Sequence, residues 1–129
     1  MILNRIDEHF HKIVNDLIMD GVGTDNIIFV RERAVIMRRH AEALILGKVV
    51  GVIDLELENI CSGRSFDELP PLTVKKQVTG VGNAKKQEVS DALPQYVGQQ
   101  QYKTDDESDA VAIGVAWLLK NEYEIKKRE

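Results

Sequence analysis

Residues 103–120, KTDDESDAVAIGVAWLLK, crowd four carboxylates (Asp105, Asp106, Glu107 and Asp109) into five positions and then run almost wholly apolar. A segment apolar around most of its circumference is stable only as a buried helix, here expected from about Asp105 to Glu122. Any fold for this chain therefore has to bury the body of that helix while leaving its acidic mouth at the edge of the core. Thr104 and Glu107 fit a capping box, and acids in a first helical turn gain about 0.3–1 kcal/mol each from the helix dipole. Capping accounts for one or two of the four. Asp106 and Asp109 are three apart and share a face, and Asp109 sits where the helix is already turning apolar (Ala110, Val111, Ala112, Ile113). Like charges close together beside a core repel and lose hydration unless a cation holds them. The pattern predicts a divalent metal site, with plain capping as the alternative.

The rest of the chain bounds what surrounds that helix. Its 129 residues, 43% hydrophobic and 29% charged, suit one compact domain over 1–129. A single cysteine, Cys61, gives neither a disulfide framework nor a zinc-ligand set, so a reducing compartment, the cytoplasm, is expected and Cys61 reads as buried packing. No apolar run approaches the roughly 20 residues of a membrane span, and MILNRIDEHFHK has no signal-peptide core. The net charge of −4 argues against wholesale coating of nucleic acid. The cations are grouped, however: Arg31, Arg33, Arg38 and Arg39; Lys75 and Lys76; Lys85 and Lys86; Lys126, Lys127 and Arg128.

Along the chain, Ile6, Phe10, Ile13, Val14 and Leu17 fall at helical spacing over 4–19, and the helix should stop near Gly21 and Gly23. His9 and His11, two apart, diverge on that helix and read as surface residues. NIIFV (26–30) is a short apolar run with β-branched residues, the pattern of a strand buried on both faces. A second helical region from Ala34 to about Ile60 carries Gly47 and Gly51 one turn apart, a face another helix backbone could approach closely. CSGRS then turns the chain, FDELPP offers a short strand ending in prolines, and TVKKQVTGVGNAKKQEVSDAL reads as helix, glycine turn, helix. PQYVGQQQYKT reads as a loop. The sum is an α/β pattern with only two clear strands.

Two further positions complete a candidate site. Glu32 follows NIIFV at its carboxyl end, where ligands sit in open α/β sheets; it could equally pair with Arg31 or Arg33. With Asp106 and Asp109 it would form a hard-oxygen set suited to Mg²⁺ or Mn²⁺ rather than zinc. In TGVGNAKK, Asn83 looks like an N-cap, which puts Lys85 and Lys86 in a first turn, where the dipole disfavours them. Such lysines suit a phosphate, or they are solvated surface on an ordinary turn.

Glu32, then Gly47-x-x-x-Gly51-Val52, ELPPLTVKK, GVGNAKKQEV and DESDAVAI follow one another in the order, and nearly the spacing, of a known family. From about Arg5 to Trp117 the chain resembles the RuvC-type Holliday junction resolvases. That resemblance implies an α/β, ribonuclease H-like mixed sheet flanked by helices, and a homodimeric Mg²⁺-dependent endonuclease acting on four-way DNA junctions in recombination and repair. It implies that Glu32, Asp106 and Asp109 are three of four catalytic, metal-binding carboxylates and that Lys75 and Lys86 lie near the scissile phosphate, with Lys76 and Lys85 extending the DNA-binding face. Gly47 and Gly51 match the region that pairs subunits. The family's other catalytic aspartate lies on the first strand of an N-terminal β-meander, and Met1 aligns after it, so the domain is expected to be N-terminally incomplete. Asp7 lies in a helical pattern and is not its replacement. Two alternatives stand beside an active resolvase: a catalytically inactive module for junction binding and dimerisation, and another ribonuclease H-like nuclease of the YqgF group.

Overall fold

The structure, a computed structural model, describes residues 2–23, 26–33, 40–61 and 67–125. Expectations for the start of the second helical region at 34–39, with Arg38 and Arg39, for 62–65 of the CSGRS turn, for Phe66 of FDELPP, for residues 126–128 and for the side chains of Ile6, Asp7, Phe10 and Cys61 fall outside them. The chain divides into two compact units, Met1–Phe29 with Ala34–Asp67, and Val30–Arg33 with Glu68–Glu129.

The first unit holds two helices, α1 (Ile2–Met19) and α2 (His40–Cys61), which pack against each other. α1 is amphipathic and ends at Gly21, as its pattern implies. α2 is apolar on nearly every side, and Leu44, Ile45 and Leu55 remain exposed on it. A Cβ added at Gly47 or at Gly51 would meet nothing within 4 Å, so the space beside both glycines is open among the described residues.

The second unit contains β1 (Val30–Glu32), most of β2 (Asp67–Leu69), α3 (Pro71–Thr79), α4 (Lys86–Ala92), α5 (Pro94–Val97) and α6 (Asp105–Lys120). β1 and β2 form a two-stranded sheet. The Asp67 amide donates to the Phe29 carbonyl at 3.0 Å and the Arg33 amide to the Leu69 carbonyl at 2.8 Å, so pairing advances in the same direction along both strands, which are parallel. The strand is shorter and later than NIIFV predicts: residues 27–29 are not strand and Ile28 is exposed. A strand extends only as far as its partner does, and among the described residues β2 offers three.

Proline and glycine set the limits of α3. Pro70 precedes it in extended conformation, Pro71 occupies its first turn, and Gly80 ends it at φ +83°, its amide donating to the Lys76 carbonyl at 2.8 Å. Only glycine takes that left-handed φ without strain. α4 begins two residues later than an Asn83 cap implies. Lys85 is the cap residue, and its backbone amide donates to Glu88 Oε2 at 2.6 Å, so the acid three positions on selects the start. The stretch expected as a loop contains a helical turn, α5, opened by Pro94, and the Tyr96 hydroxyl ties it to the Val78 carbonyl at 3.1 Å.

The core lies between α3, α4 and α6. Val74 and Val78, one turn apart on α3, meet Ala112, Val115 and Ala116 on α6, with Leu69, Ala84, Val89 and Leu93 closing the cluster. Thr104 caps α6, accepting from the Glu107 amide at 3.4 Å; the Glu107 carboxylate reaches past the cap to the Lys103 amide at 2.7 Å. The helix closes at Lys120, two residues short of expectation. The Glu122 and Tyr123 amides donate back to the Leu119 and Leu118 carbonyls, and Glu122 adopts φ +61°. Tyr123 stacks on Trp117 with ring centroids 5.6 Å apart, the apolar contact that accompanies this kind of helix end.

Candidate functional site

The register of α6 places its acids. Ser108, Ala112 and Ala116 form a buried stripe along the helix, and Ser108 turns its hydroxyl back to the Asp105 carbonyl at 2.8 Å. Asp109 stands beside that stripe, 43% exposed, at the border between core and solvent. Asp105, Asp106 and Glu107 lie on the open first turn and are exposed.

Asp109 lines a cavity of about 240 Å³ entirely within the second unit. Glu32 comes to it from the end of β1, Lys75 from α3 and Lys86 from the first residue of α4, over an apolar wall that includes Val74, Val89 and Ile113. Four elements distant in sequence thus bring two carboxylates and two ammonium groups to one concavity. Asp106, Lys76 and Lys85 are exposed and are not part of its lining, so it brings together four of the seven predicted metal and phosphate residues.

Glu32 does not take the role of partner to its neighbours in sequence. Arg31 donates from Nε to Glu68 Oε1 at 2.8 Å and also from Nη2 to the same oxygen, while Arg33 Nε stands 3.6 Å from Glu68 Oε2. The Arg31 hydrogen bond holds the Glu68 carboxyl below the usual carboxylate range, against partial desolvation, with further help from the charges of Arg31 and Arg33. Glu68, on β2, therefore anchors the two arginines flanking Glu32, and the odd-numbered side chains leave Glu32 on the opposite face of the strand. Glu32 lines the cavity.

Lys86 Nζ lies 3.1 Å from Asp109 Oδ2 and 3.9 Å from Asp105 Oδ2. Its hydrogen bond to Asp109 raises its pKa above the ordinary lysine value, and the charges of Asp109, Asp105 and Asp106 add to the effect. The ammonium is protonated throughout the neutral range. Asp105 was not singled out by sequence reasoning, although its four-residue offset from Asp109 is a legible signal. The role of Glu68 carried no such signal, because its partners are 37 and 35 positions away.

Among the described residues, no group of three His, Cys, Asp or Glu side chains could hold a metal ion. Glu32 and Asp109 are hard oxygen donors at one cavity wall, and Asp106 lies one helical turn before Asp109. In type these donors match Mg²⁺ or Mn²⁺, and nitrogen or sulfur ligands are missing from the lining. Lysines beside them provide for an anionic partner.

A small parallel sheet flanked by helices, with charged groups gathered at the carboxyl end of a strand, defines an α/β protein compatible with the ribonuclease H-like fold. The chain belongs to the crossover junction endodeoxyribonuclease RuvC family, whose model matches residues 4–117. It is 33% identical over 78 residues to the crossover junction endodeoxyribonuclease RuvC of Caldicellulosiruptor saccharolyticus, covering 60% of this chain and 46% of the relative. To the protein of the same description from Sorangium cellulosum it is 26% identical over 116 residues, 90% of this chain and 60% of the relative. The chain spans about half the length of the curated relatives it matches.

Proposed function

We propose that this chain binds four-way DNA junctions and contributes to their Mg²⁺-dependent cleavage, as a Holliday junction resolvase of recombination and repair. The observation that carries this reading is the single cavity shared by Glu32, Asp109, Lys75 and Lys86. A phosphodiester is an anion whose hydrolysis needs both charge neutralisation and a place for a hard cation. Lys75 and Lys86 would take the phosphate, and Glu32 and Asp109, completed by phosphate oxygens and water, would hold the cation. When bound, a divalent ion supplies an activated water and neutralises charge at phosphorus.

A homodimer fits the same reading, since paired cuts on opposite strands call for two sites related by a twofold axis. Its support is α2, where exposed Leu44, Ile45 and Leu55 flank the open faces of Gly47 and Gly51. No helix among the described residues is long and apolar enough to cross a membrane; the cytoplasmic location we propose rests on the proposed action on DNA. A second reading is a junction-binding module that does not cut, in which Asp109 serves as the ion-pair partner of Lys86.

The test is binding and nicking of a labelled four-way junction and of linear duplex in Mg²⁺. Preference for the junction is expected, with Lys75→Ala weakening binding and lowering the salt slope by about 1. Asp109→Asn should abolish nicking while sparing binding. Junction binding without nicking would support the second reading, and equal affinity for duplex and junction would overturn both.

A further inference from the structure

Lys86 sits on a group that the proposed cation also needs. Its ammonium lies 3.1 Å from Asp109 Oδ2 and 3.9 Å from Asp105 Oδ2, and these two carboxylates stand one turn apart on α6. One positive charge therefore serves two negative ones. Asp109 is also the α6 carboxylate that lines the cavity. A protonated amine and a hard divalent ion cannot both take the lone pairs of Oδ2 at full strength, because each is a cation directed at the same oxygen. The lysine can leave. Its side chain is 60% exposed, and its flexible four-carbon stem starts from the first residue of α4, on the wall of the same cavity.

We propose that Lys86 is a removable counter-ion: without DNA it occupies Asp109, and a phosphate entering the cavity draws the ammonium to itself and frees that carboxylate for the divalent cation. This rests on the reading of the cavity given above and adds to it a coupling between its two ligands. The swap keeps the charge balanced at each stage. Before DNA, Lys86 compensates Asp109; afterwards it compensates phosphate and the metal compensates Asp109. By linkage, metal should tighten DNA binding by the same factor by which DNA tightens metal binding.

The coupling should be modest, because the Lys86–Asp109 pair is largely exposed. Partly solvated pairs of this kind correspond to a factor of up to about five in an equilibrium constant. The experiment is titration of residues 1–129 with Mn²⁺, reading free ion by electron paramagnetic resonance, with and without junction DNA. Lys86→Gln removes the ammonium, and Lys120→Gln is the control, making the same charge change at an exposed side chain in the last turn of α6, outside the cavity. Lys86→Gln is expected to tighten Mn²⁺ binding to the DNA-free chain about two- to fivefold, and to reduce the gain on adding DNA, while Lys120→Gln does neither. Wild-type Mn²⁺ binding that Lys86→Gln leaves unchanged, or that both variants tighten equally, would overturn the counter-ion role and leave the metal reading intact. Failure of all three proteins to bind Mn²⁺, with or without DNA, would overturn the metal reading and this inference with it.

Discussion

Replacing Glu68 by Gln isolates the charge that secures β1, and its consequences can be worked from the geometry. Glu68 Oε1 accepts two donors from Arg31, and the two side chains are 30% and 21% exposed. Hydrogen bonds to a charged group contribute about 1.5–3 kcal/mol when buried, and partial exposure lowers that to about 1 kcal/mol here. The Arg33 contact, at 3.6 Å with a side chain 60% exposed, adds a few tenths at most. Gln keeps the shape and one acceptor oxygen, so the loss is mainly of charge. Glu68→Gln should lower stability at pH 7 by about 1 kcal/mol, moving a urea midpoint down by about 0.5 M for a slope near 2 kcal/mol/M. The pH dependence fixes the sign. The folded-state pKa of Glu68 lies below its ordinary value, so its contribution is complete above the unfolded pKa of about 4.3 and is lost as pH falls through the folded value. Wild type and variant should therefore differ fully at pH 7 and converge well below pH 4. Urea unfolding at pH 7, 5 and 3 measures this. A gap that stays constant over that range would refute the assignment to charge, and Arg33→Met costing more than Arg31→Met would refute the ranking of the two arginines.

Three other outcomes test the surrounding elements. Thr104→Ala should cost about 0.5–1 kcal/mol by circular dichroism melting, because it removes the acceptor for the Glu107 amide at the start of α6. Glu122→Gly should stabilise by up to about 1 kcal/mol and raise the melting temperature, since Glu122 holds φ +61°, a conformation that glycine adopts without steric cost. Sedimentation at micromolar concentration should show a dimer that Gly51→Leu disrupts, and a wild-type monomer would refute the role proposed for α2.

Much of the second unit was legible in the sequence because local signals there are strong and agree. Pro70, Pro71 and Gly80 mark both ends of α3, and Thr104 followed by an apolar run marks α6. The strand was read less well. An apolar run such as NIIFV states a need for burial, but the extent of a strand depends on the hydrogen-bonding partner, and among the described residues β2 supplies Asp67–Leu69. The start of α4 depended on which residue could satisfy the first free amides, and Glu88 settled it in favour of Lys85 over Asn83. At the site, Glu32, Asp109, Lys75 and Lys86 could each be nominated from residue type, position and the family's order. The pairing of Lys86 with Asp109 could not, because it joins α4 to α6 across 23 positions through packing of the intervening helices. The same distance hid Glu68, which read only as one more acid in a polar-edged strand.

The buried stripe of Ser108, Ala112 and Ala116 has a consequence for how this chain can change length. Because the stripe holds α6 against α3, the helix is a rod whose rotation is set downstream of its acids. One residue inserted between Asp109 and Ala112 would turn every acid about 100° around the axis relative to the packed part, since an α-helix has 3.6 residues per turn. Asp109 would swing off the cavity wall while the core stayed assembled. The same insertion between Gly98 and Lys103, ahead of the cap, would lengthen a connection and leave the rod's register untouched. Length variation compatible with this site should therefore collect before Thr104 and after Lys120, and the eight residues from Asp105 to Ala112 should behave as a unit of fixed length.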